Sequence, residues 1–221
     1  MIKISTMTGK LVYIPAINTN TLTNKFCQKM ALSGKANIIC SGDGDKPECY
    51  SFSMLLGSRK NCAPVWEKNS VLLKSGILTE LPVFNSLYVT FHGHGELINR
   101  THLINFLLIA QHNPNTTFTL FTKRKNLVSS VFSGIEWYGS TRAGCKDAFI
   151  RKIPQNLILV YSNPIKDRIT DKKPQYFHKV FNTTSYLSTE DNCTGRKCIE
   201  CLACYQFDGN SVLIEQKKKR A

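Results

Sequence analysis

From about residue 87 onward, the hydrophobic and polar residues follow two patterns in turn, one typical of strands and one typical of helices. Short runs of β-branched, aromatic and aliphatic residues predict strands at Leu87–Phe91, Thr117–Thr122 and Leu157–Tyr161. Apolar residues recur at helical spacing between these runs, over Thr101–Gln111 and Arg124–Phe132. Because strands that alternate with helices form parallel sheets with crossover helices, this part of the chain predicts an α/β fold.

The first 48 residues predict little regular structure. Lys10–Ile14 is the one short strand expected there, and polar and turn residues dominate the remainder. Helices are predicted over Glu48–Leu56 and over Pro64–Ile77, where proline suits the first helical turn. Two further short strands are predicted near the end of the chain, at Val180–Phe181 and Val212–Ile214.

Length and composition fit one folded domain. The chain has 221 residues, of which 42% are hydrophobic and 20% charged, so it can build a core and is not expected to be disordered. We expect a single α/β domain over residues 1–221, built on a partial parallel (β/α) barrel or an open sheet. A cysteine-containing N-terminal segment, 1–60, and a C-terminal metal-binding loop, 190–207, are expected to belong to it.

The formal net charge of +14 exceeds what solubility requires and indicates an anionic partner, with nucleic acid as the first candidate. A generally basic surface without a dedicated site is the alternative. The sequence has no apolar run of the roughly 18 residues that span a bilayer, and Met1–Ser5 does not resemble a signal peptide. A cytoplasmic protein without membrane contact is therefore expected, and nine cysteines in a reducing compartment indicate metal or redox chemistry.

The strongest chemical signal is a run of four cysteines within twelve residues, Cys193, Cys198, Cys201 and Cys204. Gaps of two residues between successive cysteines let one loop fold its thiolates around a compact iron–sulfur cluster, as in ferredoxin-type runs. Zinc is the alternative, although structural zinc sites usually divide their ligands between two separated knuckles. A second set, Cys27, Cys40 and Cys49, matches no standard spacing. Three cysteines would leave one metal position open for a cofactor or substrate. Alternatively, one of these three cysteines completes a set with Cys198, Cys201 and Cys204, and Cys193 is not a ligand.

Polar residues follow three of the predicted strands. His92-Gly93-His94-Gly95-Glu96 comes directly after the first strand, and Lys123-Arg124 follows the second. Ser162-Asn163 follows the third. Because ligands of parallel α/β sheets bind outside the carboxyl ends of the strands, these groups are expected to share one site.

Each group has a predicted role at that rim. His92, His94 and Glu96 are candidate catalytic residues, with Glu96 as a general base or hydrogen-bond acceptor. Lys123 and Arg124 make the rim cationic and suited to phosphate or carboxylate. Ser162 and Asn163 are candidate cofactor-binding residues. A tight turn whose histidines cap the next helix, and a charged loop without a ligand, are the alternatives.

Several segments together resemble the phage "gene product 88" family, over nearly the whole chain. They are Ile14–Thr19, Phe26–Met30, Cys49-Tyr50, Gly57–Pro64, Phe91–Leu97, Thr122–Lys125, Asn156–Pro164 and Asn192–Tyr205. The resemblance implies a bacterial-cytoplasm setting and a cysteine-ligated site. The order of motifs is also similar to that of radical S-adenosylmethionine enzymes, in which an early three-cysteine motif precedes a partial parallel barrel. The Cys-x3-Cys-x2-Cys spacing of that class is absent here.

Two functions follow as expectations. The first is a phage or mobile-element metalloprotein that carries an iron–sulfur cluster of the [4Fe–4S] type and acts as a radical S-adenosylmethionine-like enzyme on or near nucleic acid. The second is a basic, non-enzymatic phage protein with a structural zinc or cluster site. It would bind nucleic acid or inhibit a host defence ribonucleoprotein.

Overall fold

A computed structural model describes residues 1–33, 38, 40, 49–133, 153–184, 193, 196–207 and 211–216. Within these residues the chain forms one six-stranded sheet in which every neighbouring pair of strands is parallel and the strands follow one another in sequence order. The strands are β1 (Ala16–Ile17), β2 (Tyr88–Phe91), β3 (Thr117–Thr122), β4 (Leu157–Ser162), β5 (Lys179–Thr184) and β6 (Val212–Gln216). The predicted α/β class with a parallel sheet is confirmed, as an open sheet whose edges are β1 and β6.

Six α-helices accompany the sheet in the described residues. They are α1 (Lys25–Ala31), α2 (Tyr50–Leu56), α3 (Ala63–Ser75), α4 (Arg100–His112), α5 (Lys125–Phe132) and α6 (Cys198–Cys201). Short 3-10 turns occupy Gly9–Leu11, Lys60–Cys62 and Ala203–Tyr205. None of the helices in the described ranges combines the length and the apolar character needed to cross a membrane.

The main core lies between the sheet and helices α3, α4 and α5. Phe91 of β2 stacks on Phe106 of α4 at 4.1 Å and on Phe118 of β3 at 4.8 Å between ring centroids. Aromatic pairs of this kind bury large apolar areas and fix the distance between layers. The central strand β4 is buried on both faces from Leu157 to Val160, which explains its uninterrupted apolar sequence.

The opposite face of the sheet is covered by the C-terminal cysteine segment. Ile158, Val160 and Leu213 form a second apolar cluster on that face, and Ala203 and Cys204 pack against it. The Tyr205 ring meets Tyr88 edge-on at 5.2 Å. The cysteine-rich segment 196–207 is therefore packed against the sheet itself, on the face away from α3, α4 and α5.

The predicted strand at Lys10–Ile14 is wrong. Gly9 and Tyr13 have positive φ angles of 67° and 69°, which break an extended chain, and Gly9–Leu11 forms a 3-10 turn instead. The strand lies a few residues later, at Ala16–Ile17, and Ser5 pairs with Ala16 along its outer edge. Helix α1 was not predicted; it begins after Asn24, whose side chain accepts a hydrogen bond from the Phe26 amide.

Candidate functional site

The segment after β1 carries the first of three cysteines to the carboxyl edge of the sheet. Cys27 lies in the first turn of α1, and the preceding Asn24 donates from Nδ2 to the Glu96 carbonyl at 3.0 Å. The Arg124 guanidinium lies over the Phe26 ring at 5.2 Å. Both contacts hold the start of α1, and with it Cys27, against the loops that follow β2 and β3.

Cys40 and Cys49 lie in the same region, as the contacts of residues next to them in sequence show. Ile38 forms an antiparallel bridge with Ile165, in the loop after β4. The Tyr50 ring, next to Cys49, stacks on His94 at 5.4 Å, in the loop after β2. The Cys40 thiol donates a hydrogen bond to the Cys49 sulfur, and Cys27 lies close enough to both thiols to interact electrostatically. The structure thus brings the three N-terminal cysteines together.

The three thiols differ in acidity because their surroundings differ. Burial, and then the negative charge of Glu96, raise the pKa of Cys27. The hydrogen bond between Cys40 and Cys49 raises the pKa of the donor, Cys40, and lowers that of the acceptor, Cys49. The ammonium of Lys123 lowers the pKa of all three thiols, and the guanidinium of Arg124 also lowers that of Cys27.

Glu96 links the ends of two strands. Its buried carboxylate accepts hydrogen bonds from the Leu97 amide at 2.8 Å, from the Thr122 hydroxyl and from the Lys123 amide at 2.9 Å. Both carboxylate oxygens are therefore occupied by protein donors, which hold the side chain in place. Its predicted role as a general base stays a prediction.

Lys123 and Arg124 have different surroundings although they are adjacent. Burial lowers the pKa of the Lys123 ammonium. Its acidic neighbours together raise this pKa by a larger amount, so the net shift is upward; they are Cys40, Glu96, Cys49 and Cys27. Arg124 donates from Nη1 to the carbonyls of Leu97 and Ile98, at 2.9 and 2.6 Å. Lys123 thus interacts electrostatically with all three cysteines, while Arg124 secures the loop after β2.

His92 turns toward the main core. Its φ angle of 65° is left-handed, and its buried ring meets His102 and Phe106 of α4, each at 5.0 Å. Burial lowers its pKa to about 3, against a smaller opposite effect from the Phe121 backbone. The ring of His92 is therefore packed into the core beside α4, and its predicted catalytic role stays a prediction.

His94 is held in a stack of aromatic rings. It lies between Tyr50, at 5.4 Å, and Trp66, at 4.9 Å, and Arg59 donates from Nη1 to its Nε2 at 3.0 Å. Burial and the neighbouring guanidinium lower the pKa of His94 to about 4, so the ring is neutral near pH 7. Tyr50 connects this stack directly to Cys49.

Sequence reasoning missed the residues that position His94. The end of β1 supplies two of these contacts: Asn18 Oδ1 accepts from the His94 amide at 2.7 Å, and the Thr19 amide donates to the His94 carbonyl at 3.1 Å. Trp66 and Arg59 complete the surroundings. Asn18 and Thr19 follow a strand, as the other rim groups do, but the strand was expected too early in the chain for this signal to be seen.

Ser162 and Asn163 lie at the carboxyl end of β4, as expected from their position. Ser162 is the last residue of the strand. The Asn163 amide donates to the Arg168 carbonyl at 2.7 Å and to Asn182 Oδ1 at 2.9 Å, and its oxygen accepts from the Ile165 amide at 3.1 Å. Asn163 therefore stabilises the loop after β4, and cofactor binding by these two residues stays a prediction.

The four C-terminal cysteines form a second group, beside β6. The Cys193 amide donates to the Ile214 carbonyl at 2.9 Å, while Cys198 and Cys201 are the two ends of α6. Burial, followed by the charge of Cys193, raises the pKa of Cys198 to about 11. Burial and the same cysteine neighbours raise the pKa of Cys204. All four thiols lie within electrostatic range of one another.

An ion pair between Lys10 and Glu215 lies beside this second group and joins the N-terminal segment to the last strand.

In the described ranges, no three or more His, Cys, Asp or Glu side chains are arranged as a metal site.

Comparisons of this chain with protein-family models, with curated proteins and with solved structures found no match.

Proposed function

We propose that this chain is a cytoplasmic metalloprotein of a phage or mobile element, with an iron–sulfur cluster, that acts as an enzyme on or near nucleic acid. One observation carries the proposal. Cys27, Cys40 and Cys49, which are spread over 23 residues of sequence, lie within electrostatic range of one another and of Lys123 at the carboxyl edge of a parallel sheet. This edge is where ligands of parallel α/β proteins bind.

The donor chemistry of this group fits a cluster. Thiolates are the ligands that iron–sulfur clusters and zinc prefer, and three of them leave one position open. When bound there, a [4Fe–4S] cluster would supply one-electron chemistry and a coordination position for S-adenosylmethionine. The neighbouring cation, Lys123, compensates the negative charge that three thiolates bring. Glu96, held by three donors, fixes the position of the strand end that carries Lys123.

The C-terminal group supports a second metal site. Cys193, Cys198, Cys201 and Cys204 suit either a second iron–sulfur cluster or a structural zinc ion. Cys204 packs against the sheet, and the Cys193 amide is hydrogen-bonded to the Ile214 carbonyl of β6. A metal held by this group would therefore stabilise the fold.

Metal analysis of protein purified without oxygen tests the proposal. Iron, zinc and acid-labile sulfide are measured for the wild type, for the variant Cys27→Ser/Cys40→Ser/Cys49→Ser and for Cys201→Ser. Cys62→Ser is the control, since Cys62 lies in a 3-10 turn outside both groups. We expect equal iron and sulfide in the wild type and the control, and loss of about one cluster in the triple variant. Wild-type protein without iron and sulfide would overturn the proposal.

A cluster in the N-terminal group then justifies an activity assay. We expect the reduced wild-type protein to cleave added S-adenosylmethionine. The triple variant is expected to leave S-adenosylmethionine intact. Iron that stays at the wild-type amount in the triple variant would show that the N-terminal cysteines hold no cluster, which contradicts the proposed site.

A non-enzymatic function is the second candidate, and a specific observation favours it. His92, His94 and Glu96 are each held by core packing or by protein hydrogen bonds. A basic protein with a structural zinc site that binds nucleic acid or a host defence ribonucleoprotein would need no catalytic side chains there. Zinc without sulfide, together with a stable stoichiometric complex and no turnover, is the result expected for this function.

A further inference from the structure

A cationic pocket opens beside the candidate site, at the carboxyl end of β4. Its volume is about 310 Å³. The lining residues that matter here are Lys125, Tyr161, Asn163, Arg168, Lys172 and Lys173. Four of these six are cations with exposed side chains, one from the start of α5 and three from the loop between β4 and β5.

The charge of this pocket is not neutralised by nearby carboxylates in the described part of the chain. No Asp or Glu is among the residues that line it, and Asp167 and Asp171, which alternate with the loop's cations in sequence, lie outside the lining. The ion pairs between described residues involve Lys10, Lys74 and Lys197, and none of the pocket cations. A concave surface lined by charges of one sign concentrates ions of the opposite sign, so this pocket attracts anions.

The loop that carries three of the cations is held in place by two buried asparagines. Asn163 donates to the Arg168 carbonyl at 2.7 Å and to Asn182 Oδ1 at 2.9 Å. Asn182 Oδ1 also accepts from the Thr170 amide at 3.2 Å, and Asn182 Nδ2 donates to the Thr170 carbonyl at 3.1 Å. The backbone around Arg168 is thus fixed from inside the protein, so the cations are presented by a preorganised loop.

The pocket and the cysteine group share one edge of the sheet. Lys125 comes two residues after Lys123, and its ammonium lies 5.9 Å from the Tyr161 ring centroid. Ile165, in the same loop as Arg168, pairs with Ile38, two residues before Cys40. A chain-like anion bound in the pocket would therefore pass close to the candidate site.

We propose that this pocket binds backbone phosphates of a nucleic-acid strand and leads that strand to the cysteine group. Guanidinium and ammonium groups are the usual partners of phosphate, and the net charge of +14 favours a polyanion over a single small anion. As a statement about the substrate, the inference rests on the proposed function. As a statement about phosphate binding, it depends only on the pocket.

Fluorescence anisotropy with a labelled 20-nucleotide single-stranded DNA, measured over a series of KCl concentrations, tests the inference. The pocket variant is Arg168→Gln/Lys172→Gln/Lys173→Gln. The matched control is Lys3→Gln/Lys68→Gln/Arg100→Gln, which removes the same charge from exposed positions elsewhere. We expect the pocket variant to bind at least about tenfold more weakly at 0.15 M salt, with a salt slope shallower by about two, since each phosphate contact on a single strand contributes about 0.7.

The control variant is expected to lose less than about threefold in affinity. Equal losses in the two variants, or no binding by the wild type, would overturn the inference, because the basic charge would then act without a dedicated site. Inorganic phosphate and polyglutamate are tested as competitors at constant ionic strength. Displacement of the DNA by either one as effectively as by unlabelled DNA would also contradict a nucleic-acid site.

Metal content is measured on the same samples. Wild-type protein that lacks iron but binds DNA through the pocket would contradict the proposed function and leave this inference standing. Iron at the wild-type amount with no DNA binding would contradict the inference alone.

Discussion

The backbone amide of Lys123 donates a hydrogen bond of 2.9 Å to the carboxylate of Glu96. This contact ties the end of β3 to the loop after β2. The side chain of Lys123 lies within electrostatic range of Glu96 and of the three N-terminal cysteines, and these groups raise its pKa. A buried carboxylate thus fixes the strand end from which Lys123 extends.

Glu96→Gln is expected to destabilise the protein by about 1–3 kcal/mol, the usual cost of an unsatisfied buried polar group. The three partners of the carboxylate are all donors, so the glutamine NH2 group would face a donor. Urea unfolding measures the change. Glu80→Gln, at an exposed position, is the control and is expected to change stability by less than about 0.5 kcal/mol. Equal stability of both variants would show that the carboxylate contacts do not hold the strand ends.

Gly95→Ala tests the close approach between the ends of β1 and β2. Gly95 has a φ angle of 131°, and an added Cβ would lie 2.2 Å from Thr19 Oγ1 and 3.1 Å from the Thr19 amide nitrogen. We expect a loss of about 2 kcal/mol or more in the free energy of unfolding, from backbone strain and steric overlap. Gly76→Ala is the matched control, because an added Cβ there meets nothing within 4 Å. A Gly95 variant as stable as the Gly76 variant would contradict the observed packing.

Stability is expected to fall as the pH drops from about 6.5 toward 4. Burial lowers the pKa of His94 to about 4 and that of His92 to about 3, so the unfolded chain binds more protons than the folded one in this window. His94→Phe keeps a ring between Tyr50 and Trp66 and removes one titrating group. The slope of unfolding free energy against pH should then decrease by up to about 1.4 kcal/mol per pH unit.

Urea titrations at pH values between 4.5 and 7 measure this slope. His112→Gln is the control, since His112 is an exposed histidine at the end of α4. An unchanged slope in His94→Phe would mean that His94 takes up its proton equally in the folded and unfolded states.

The ion pair between Lys10 and Glu215 should contribute little to stability although it joins the N-terminal segment to β6. The Lys10 side chain is 40% exposed and that of Glu215 17%. Water and salt weaken pairs of this kind to about 0–1 kcal/mol. A double-mutant cycle with Lys10→Met and Glu215→Gln is expected to give a coupling energy below about 1 kcal/mol that decreases in 1 M NaCl. A coupling several times larger would show that the pair is essential to the packing of the two segments.

Much of the sheet was predictable because its strands are buried. The strand Thr117–Thr122 was predicted with the bounds that it has, and Leu157–Tyr161 with one residue missing. An uninterrupted apolar sequence arises only where both faces of a strand are covered, so the pattern itself indicates the burial. The strand at Ala16–Ile17 escaped prediction because two residues are too short to show any period.

The rim residues were found by their position after strands, but their orientations were not. His92 and His94 are two residues apart, yet the first packs against α4 and the second stacks between Tyr50 and Trp66. The left-handed φ angle of His92 sends the chain around a corner that no alternation pattern predicts. The ring partners of His94 come from α2 and α3, which precede it in sequence by many residues, whereas those of His92 come from α4.

The amino-acid sequence by itself determined the α/β class, the parallel sheet and the presence of two cysteine groups, because hydrophobic period and cysteine spacing are local properties of the chain. Only the tertiary structure decided that Cys27, Cys40 and Cys49 meet beside Lys123, and that Arg168, Lys172 and Lys173 share a pocket with Lys125. Both arrangements depend on parallel strands that place the ends of separate segments at one edge of the sheet, and that proximity is set by packing over the whole domain.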